Sequence, residues 1–168
     1  LVVIGYVEVM VYMEEIFFST TFGGETLSLA AARAVLDKLQ REPVLDTLAA
    51  RGRALADGTR ARIEAAGLLD VVSVSGHPTW SFVVFADTPR YDVARLKTFF
   101  LQECLARGVL TLGSHNVCYA LTDADVEHVL AAYDEVFTDL RAALDANDLD
   151  ERLRCAPLRP LFQVRPAR

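Results

Sequence analysis

The chain has 168 residues, 52% of them apolar and 24% charged, with a formal net charge of −6. That length can bury the core of one domain or one and a half, and that composition excludes a disordered tail. Arginines scattered among acids leave no basic stripe for nucleic acid, and no apolar run reaches the length of a bilayer-spanning helix.

Residues Leu1 to Val11 carry Val2, Val3, Ile4, Val7, Val9 and Val11, broken by Gly5 and Glu8. This pattern predicts a strand buried on both faces of a larger sheet, whose neighbours the chain does not supply. The chain opens on Leu1, not on methionine or a basic leader. It is therefore expected to begin inside a longer protein and to carry no secretory signal.

An apolar run then breaks into Ser19, Thr20 and Thr21, followed by Gly23, Gly24 and an alanine-rich stretch. Three hydroxyls, N–H groups at the glycine bend and the start of a helix can together cradle an anion such as a phosphate. Taken alone, the pattern reads first as an ordinary turn and N-cap. Leu27 to about Gln40 has strong helix propensity, and Ala30, Ala31 and Ala34 permit close approach of another backbone, as in an interior or a subunit interface.

Pro43 suits the start of a second helix ending at Gly67, with Leu45, Leu48, Ala49, Gly52, Leu55, Ala56 and Ile63 on its apolar stripe. Two strands follow, Asp70 to Ser75 and Trp80 to Ala86, around a turn at Gly76-His77-Pro78-Thr79. Trp80 and Phe82 are expected in the core. Asp92 is placed to cap a helix that buries Leu96, Phe99, Phe100 and Cys104 and stops at Gly108. Val109 to Leu112 and Asn116 to Leu121 read as short extended pieces around Gly113-Ser114-His115. Thr122 and Asp125 form a capping-box pattern before a long helix with Val126, Val129, Leu130, Tyr133, Phe137, Leu140 and Leu144 on its apolar side. The tail, with Pro157, Pro160 and Pro166, reads as an extended strap. The fold class is α/β, with a C-terminal α+β part built on about three antiparallel strands and helices on one face.

Cys104, Cys118 and Cys155 are too widely spaced for a zinc site and read as reduced, buried thiols of a cytoplasmic protein, so no metal is expected. Lys38 and Lys97 fall at solvated helix positions. His77 reads as a surface turn residue, with a substrate mouth as its other reading, and His128 as solvated. His115 is expected to fix a turn through side-chain to backbone hydrogen bonds, with a substrate carboxylate as the alternative. No Gly-x-Ser-x-Gly elbow and no His-paired cysteine supports hydrolase chemistry.

Four stretches carry a resemblance. They are Met13-Glu-Glu-Ile-Phe-Phe-Ser-Thr-Thr-Phe-Gly-Gly-Glu-Thr-Leu-Ser-Leu-Ala-Ala-Ala, Gly76-His-Pro-Thr-Trp-Ser-Phe, Gly108-Val-Leu-Thr-Leu-Gly-Ser-His-Asn-Val-Cys-Tyr-Ala with Asp125 after it, and Arg159-Pro-Leu-Phe-Gln-Val-Arg. In this order they resemble the C-terminal part of the class III, fold-type I, pyridoxal-phosphate-dependent aminotransferases, in the glutamate-1-semialdehyde aminomutase-like branch. The resemblance implies the end of a truncated cofactor-binding domain at 1–42, a linking helix at 43–67 and a small domain at 68–168. It implies pyridoxal 5'-phosphate, a homodimer and a small-molecule amino donor or acceptor. Thr21 matches the family position whose hydroxyl reaches the cofactor phosphate from the neighbouring subunit, and Thr20 is the nearest competitor for that role. The Schiff-base lysine and the acid that binds the ring nitrogen would lie before residue 1, so the chain alone would be inactive, with no catalytic residue of its own. Glu25-Thr26 departs from the Asn-Pro of many relatives, and Glu25 is expected to turn toward a donor and away from the phosphate. The competing reading is a non-catalytic α+β binding or dimerisation module.

Overall fold

A computed structural model describes Val11, Thr21 and residues 24–159 of the chain. The chain divides into two compact units, Leu1–Val44 and Leu45–Arg168. Apart from Val11, the strand expected over Leu1 to Val11 lies outside the described residues. Val11 itself is exposed in a short 3-10 turn and is not part of a strand.

In the first unit, helix α1 runs over Thr26–Arg41 and has no buried residue. Leu27, Leu29, Val35, Leu36 and Leu39 are all exposed.

The second unit is organised by helix α2 (Val44–Ala65), strands β1 (Val72–His77) and β2 (Trp80–Phe85), helix α3 (Val93–Ala106), strand β3 (Ser114–Asn116), helix α4 (Asp123–Ala146) and the short helix α5 (Leu149–Arg152). The three strands form one antiparallel sheet in the order β1-β2-β3. Its hairpin pairs Val72 with Phe85 and His77 with Trp80, so β1 runs on through Gly76 and His77 to a turn at Pro78 and Thr79. Strand β3 lies at Ser114 to Asn116, where the sequence pattern had put the break between two extended pieces. Its pairing with β2, Ser81 opposite His115 and Phe82 opposite Ser114, is a long-range contact that no local propensity announces.

The helix ends follow local chemistry. Gly67 (φ 67°) takes the left-handed turn after α2, where Leu68 N–H donates to the Ile63 carbonyl at 3.0 Å, a Schellman closure. Asp92 caps α3 by accepting from Arg95 N–H, and Thr122 with Asp125 closes a full capping box on α4.

The core lies between the inner sheet face, α3 and α4. Phe100 sits at its centre, with ring centroids 5.4 Å from Phe85, 5.3 Å from Tyr133 and 5.8 Å from Phe137. Helix α2 packs through Gly52, where an added Cβ would lie 2.5 Å from the Pro78 carbonyl oxygen. Its buried stripe differs from the expected one: Leu45 is 67% exposed, while Val44 and Thr59 are buried. Thr59 satisfies its hydroxyl on the Leu55 carbonyl at 2.7 Å, which is how a polar residue is tolerated there.

Residues after α5 lie as a strap on α3, as far as they are described. Leu158 N–H donates to Thr98 Oγ1 at 2.9 Å, and Arg154 N–H to Gln102 Oε1 at 2.9 Å. Pro160 and Pro166 lie outside the described residues. Glu103, buried, accepts from Arg107 at 2.8 Å and from Arg154 at 2.9 Å, and Arg107 also reaches Glu135 and Asp139 on α4. One arginine thus ties α3 to α4, with every buried charge in the group paired.

Candidate functional site

The anion cradle expected around Thr21 is partly described. Thr21 is an exposed turn residue and Gly24 a second one, and among the described residues no atom comes within 4 Å of where a Cβ on Gly24 would sit. Thr20 and the intervening Gly23 lie outside the described residues.

Glu25 decides what the helix start can do. It is the N-cap of α1, and its carboxylate accepts from Leu27 N–H at 2.8 Å and from Ser28 N–H at 2.6 Å. Hydrogen bonds from the Ser28 side chain, then from the Ser28 and Leu27 amides, hold its acid below the usual carboxylate range. Two donors counted toward an anion cradle are therefore taken by the chain's own carboxylate. The helix start is removed from that cradle, and the hydroxyl of Thr21 on an open turn is the donor left in view. Glu25 does turn toward donors, and those donors are its own helix.

The second cluster is buried. His115 on β3 places Nδ1 2.9 Å from Ser81 Oγ on β2 and Nε2 3.0 Å from Tyr133 Oη on α4. All three residues are buried, and desolvation lowers the His115 pKa to about 4 while raising that of Tyr133 above its usual value. At neutral pH the ring is uncharged, donating from one nitrogen and accepting at the other. The expected side-chain to backbone bonds are replaced by two side-chain bonds that pin the short strand β3 between β2 and α4. With both nitrogens engaged, His115 has nothing to offer a substrate carboxylate in this conformation. Ser81 was missed in the sequence because a lone serine between apolar residues carries no signal until its histidine partner is placed 34 residues away.

His77, expected in a surface turn, is instead the exposed last residue of β1, paired with Trp80, and its Nδ1 lies 2.9 Å from Thr79 Oγ1 in the turn; His128 is exposed on α4. Lys38 is exposed beside Glu42 at 3.6 Å, and Lys97 is half-buried along α3. Of the cysteines, Cys104 is buried, with its thiol pushed up to about 12 by desolvation, whereas Cys118 and Cys155 are exposed, contrary to the expectation of three buried thiols. Among the described residues no three His, Cys, Asp or Glu side chains converge in a way that could hold a metal ion, and no helix is long and apolar enough to cross a membrane.

No family model matches the chain. Curated relatives do. A 3-aminobutyryl-CoA aminotransferase of Cloacimonas acidaminovorans is 25% identical over 136 residues, covering 80% of this chain and 32% of the relative. A glutamate-1-semialdehyde 2,1-aminomutase of Desulfosudis oleivorans is 30% identical over 138 residues, covering 74% of this chain and 31% of the relative. Among solved structures, the PLP internal aldimine form of the FumI protein of Sphingopyxis sp. MTA144 superposes with a TM-score of 0.69 at 28% identity, over 84% of this chain and 34% of that one.

These relatives and this structure support a partial class III, fold-type I aminotransferase as what the chain resembles.

It spans about a third of the length of the relatives it matches. The three-stranded antiparallel sheet with helices on one face agrees with the fold class expected from the sequence. The Ser81–His115–Tyr133 group belongs to the core of the second unit, and Thr21 and Glu25 belong to the first.

Proposed function

We propose that this chain is the C-terminal part of a pyridoxal-phosphate-dependent aminotransferase or aminomutase that moves an amino group between two small molecules or between adjacent carbons of one. The observation that carries the reading is the agreement between the 30% identity to an aminomutase and the TM-score of 0.69 to a PLP enzyme, on a chain in which the same four sequence stretches occur in order. Residues 1–42 would end the cofactor-binding domain, 43–67 would link, and 68–168 would form the small domain. The lysine that anchors the cofactor, and the acid that holds its ring, would lie on polypeptide preceding Leu1, so the chain alone would be inactive.

The residues present fit one part of a phosphate site. Thr21 offers a neutral hydroxyl donor on an exposed turn, and among the described residues no atom comes within 4 Å of a Cβ built on Gly24. Glu25 keeps its carboxylate on the α1 amides, where it stabilises the helix. Thr21 would therefore bind and orient the phosphate as one of several donors, lent across a homodimer, with Thr20 as its neighbour. When bound, the cofactor supplies the electron sink that lets a proton leave the carbon bearing the amino group.

A second reading, a non-catalytic binding or dimerisation module, is favoured by the fact that the second unit carries its own packed core. One experiment separates the two. The chain is expressed joined to the polypeptide encoded directly upstream and titrated with pyridoxal phosphate. The enzyme reading predicts a visible absorbance band lost on borohydride treatment, and no uptake of cofactor would leave the module reading.

A further inference from the structure

The turn into β1, the loop between β2 and α3, and the end of α4 meet around a pocket of about 330 Å³. Its charged lining has both signs, Asp70 and Asp87 with Arg90 and Arg141, and Tyr91 and Leu144 stand among its apolar walls. The loop is held in shape by its own hydrogen bonds. Thr88 Oγ1 accepts from Tyr91 N–H at 2.8 Å, Thr88 N–H donates to the Tyr91 carbonyl at 2.8 Å, and Ala86 N–H donates to the Val71 carbonyl at 2.8 Å. The backbone beside Asp70 is thereby tied to the loop that carries Arg90, so the pocket is pre-formed.

Half of its charges are already committed. Asp87 Oδ1 accepts from Val93 N–H at 2.7 Å at the start of α3, and Arg141 donates to Asp145. Among the described residues, Asp70 and the Arg90 guanidinium make no ion pair or side-chain hydrogen bond, with each other or with any other group. Arg90 instead lies over the ring of buried Tyr91, 5.8 Å from its centroid, which fixes the cation and leaves its N–H groups to a ligand. One unpaired charge on a surface is ordinary. An unpaired anion and an unpaired cation lining the same concave site select an occupant.

The lining sets the chemistry of that occupant. A phosphate or other bare anion would face Asp70 and Asp87, and a bare cation would face Arg90 and Arg141, each at a Coulombic cost. A dipolar molecule without net charge meets both signs. The volume lies at the small end of ligand pockets, about 300 to 1,000 Å³, and suits a molecule of amino-acid size. Val71, Pro89, Tyr91 and Leu144 supply apolar surface for a side chain.

We propose that this pocket binds a free apolar α-amino acid, with its carboxylate on Arg90, its ammonium group on Asp70 and its side chain against Tyr91 and Leu144. The site does not depend on the cofactor reading, because every residue it uses lies in the second unit and Thr21 lies in the first.

The test is calorimetric titration of the chain, without pyridoxal phosphate, with L-leucine and L-phenylalanine. Two analogues of the tighter binder follow: its N-acetyl derivative, which lacks the ammonium group, and its amide, which lacks the carboxylate. The proposal expects each analogue to bind about tenfold more weakly, or worse, than the free amino acid. Asp70→Asn should weaken the amino acid about fivefold or more while leaving the N-acetyl derivative within about twofold, and Arg90→Gln should do the same with the amide. Both side chains are exposed and unbonded in the fold, so each variant should unfold at the parent's urea midpoint. Dissociation constants above about 10 mM for both amino acids overturn the site. So does an analogue that binds as tightly as the free amino acid, or binding that both variants leave unchanged. Binding that is lost when the chain is joined to its upstream polypeptide makes the pocket covered surface and also overturns the proposal.

Discussion

Helices α1 and α4 are both well capped and alanine-rich, but they differ in what they bury. No residue of α1 is buried, whereas α4 buries seven, with Tyr133, Val136, Phe137 and Leu140 fully enclosed. Caps and propensity are enough to define where a helix begins and ends, while stability comes from the face it packs. The second unit therefore carries its own folding free energy, and α1, with five large apolar residues in solvent, is a helix without a packed face in the described structure.

The contrast is broken most severely by Phe100→Ala, which removes the ring at the centre of four aromatics and should cost about 4 kcal/mol in urea unfolding. A loss under about 1 kcal/mol would mean that the second unit does not depend on this core.

Next comes pH. The His115 pKa is about 4 in the folded chain against 6.5 ordinarily, so the unfolded state binds the extra proton between those values. Stability is fully present above pH 6.5 and is lost as pH falls toward 4, by up to about 3 kcal/mol at 1.36 kcal/mol per unit. His115→Gln should flatten that part of the stability profile, and identical profiles for the two proteins would remove the buried, neutral ring from the account.

Thr122→Ala takes away one half of the α4 capping box and should cost about 1 kcal/mol in the same assay. The smallest effect belongs to α1. Leu36→Ala, in a helix with nothing buried, should change the stability of this chain by no more than about 0.5 kcal/mol. A loss comparable to that of Phe100→Ala would show that α1 has a packed face after all.

What was legible in the sequence was local. Asp92, Thr122 with Asp125, Gly67 and Gly108 act on backbone groups within five residues, so the helix ends could be named before any coordinates. What was illegible depended on distant partners. Strand β3 exists because β2 reaches it, Ser81 is buried because His115 meets it, and Leu45 is exposed because the stripe of α2 is centred on Gly52, Ala56, Thr59 and Ile63 instead. The apolar run Trp-Ser-Phe-Val-Val-Phe alternates in a way that fits either face inward, so only packing could assign Trp80 and Phe82 to the outside. At the candidate site, Thr21 was named by resemblance to a family and not by any spacing. The carboxylate of Glu25 on the α1 amides is what local capping chemistry adds to it.

The central claim is that Thr21 is a phosphate donor lent to a pyridoxal-phosphate enzyme. Its most direct test is the cofactor dissociation constant of the joined protein, measured with Thr21 intact and as Thr21→Ala. The account predicts weaker binding by about 1 to 3 kcal/mol, roughly five- to 150-fold, the scale of a charge-assisted hydrogen bond. Equal dissociation constants would contradict it.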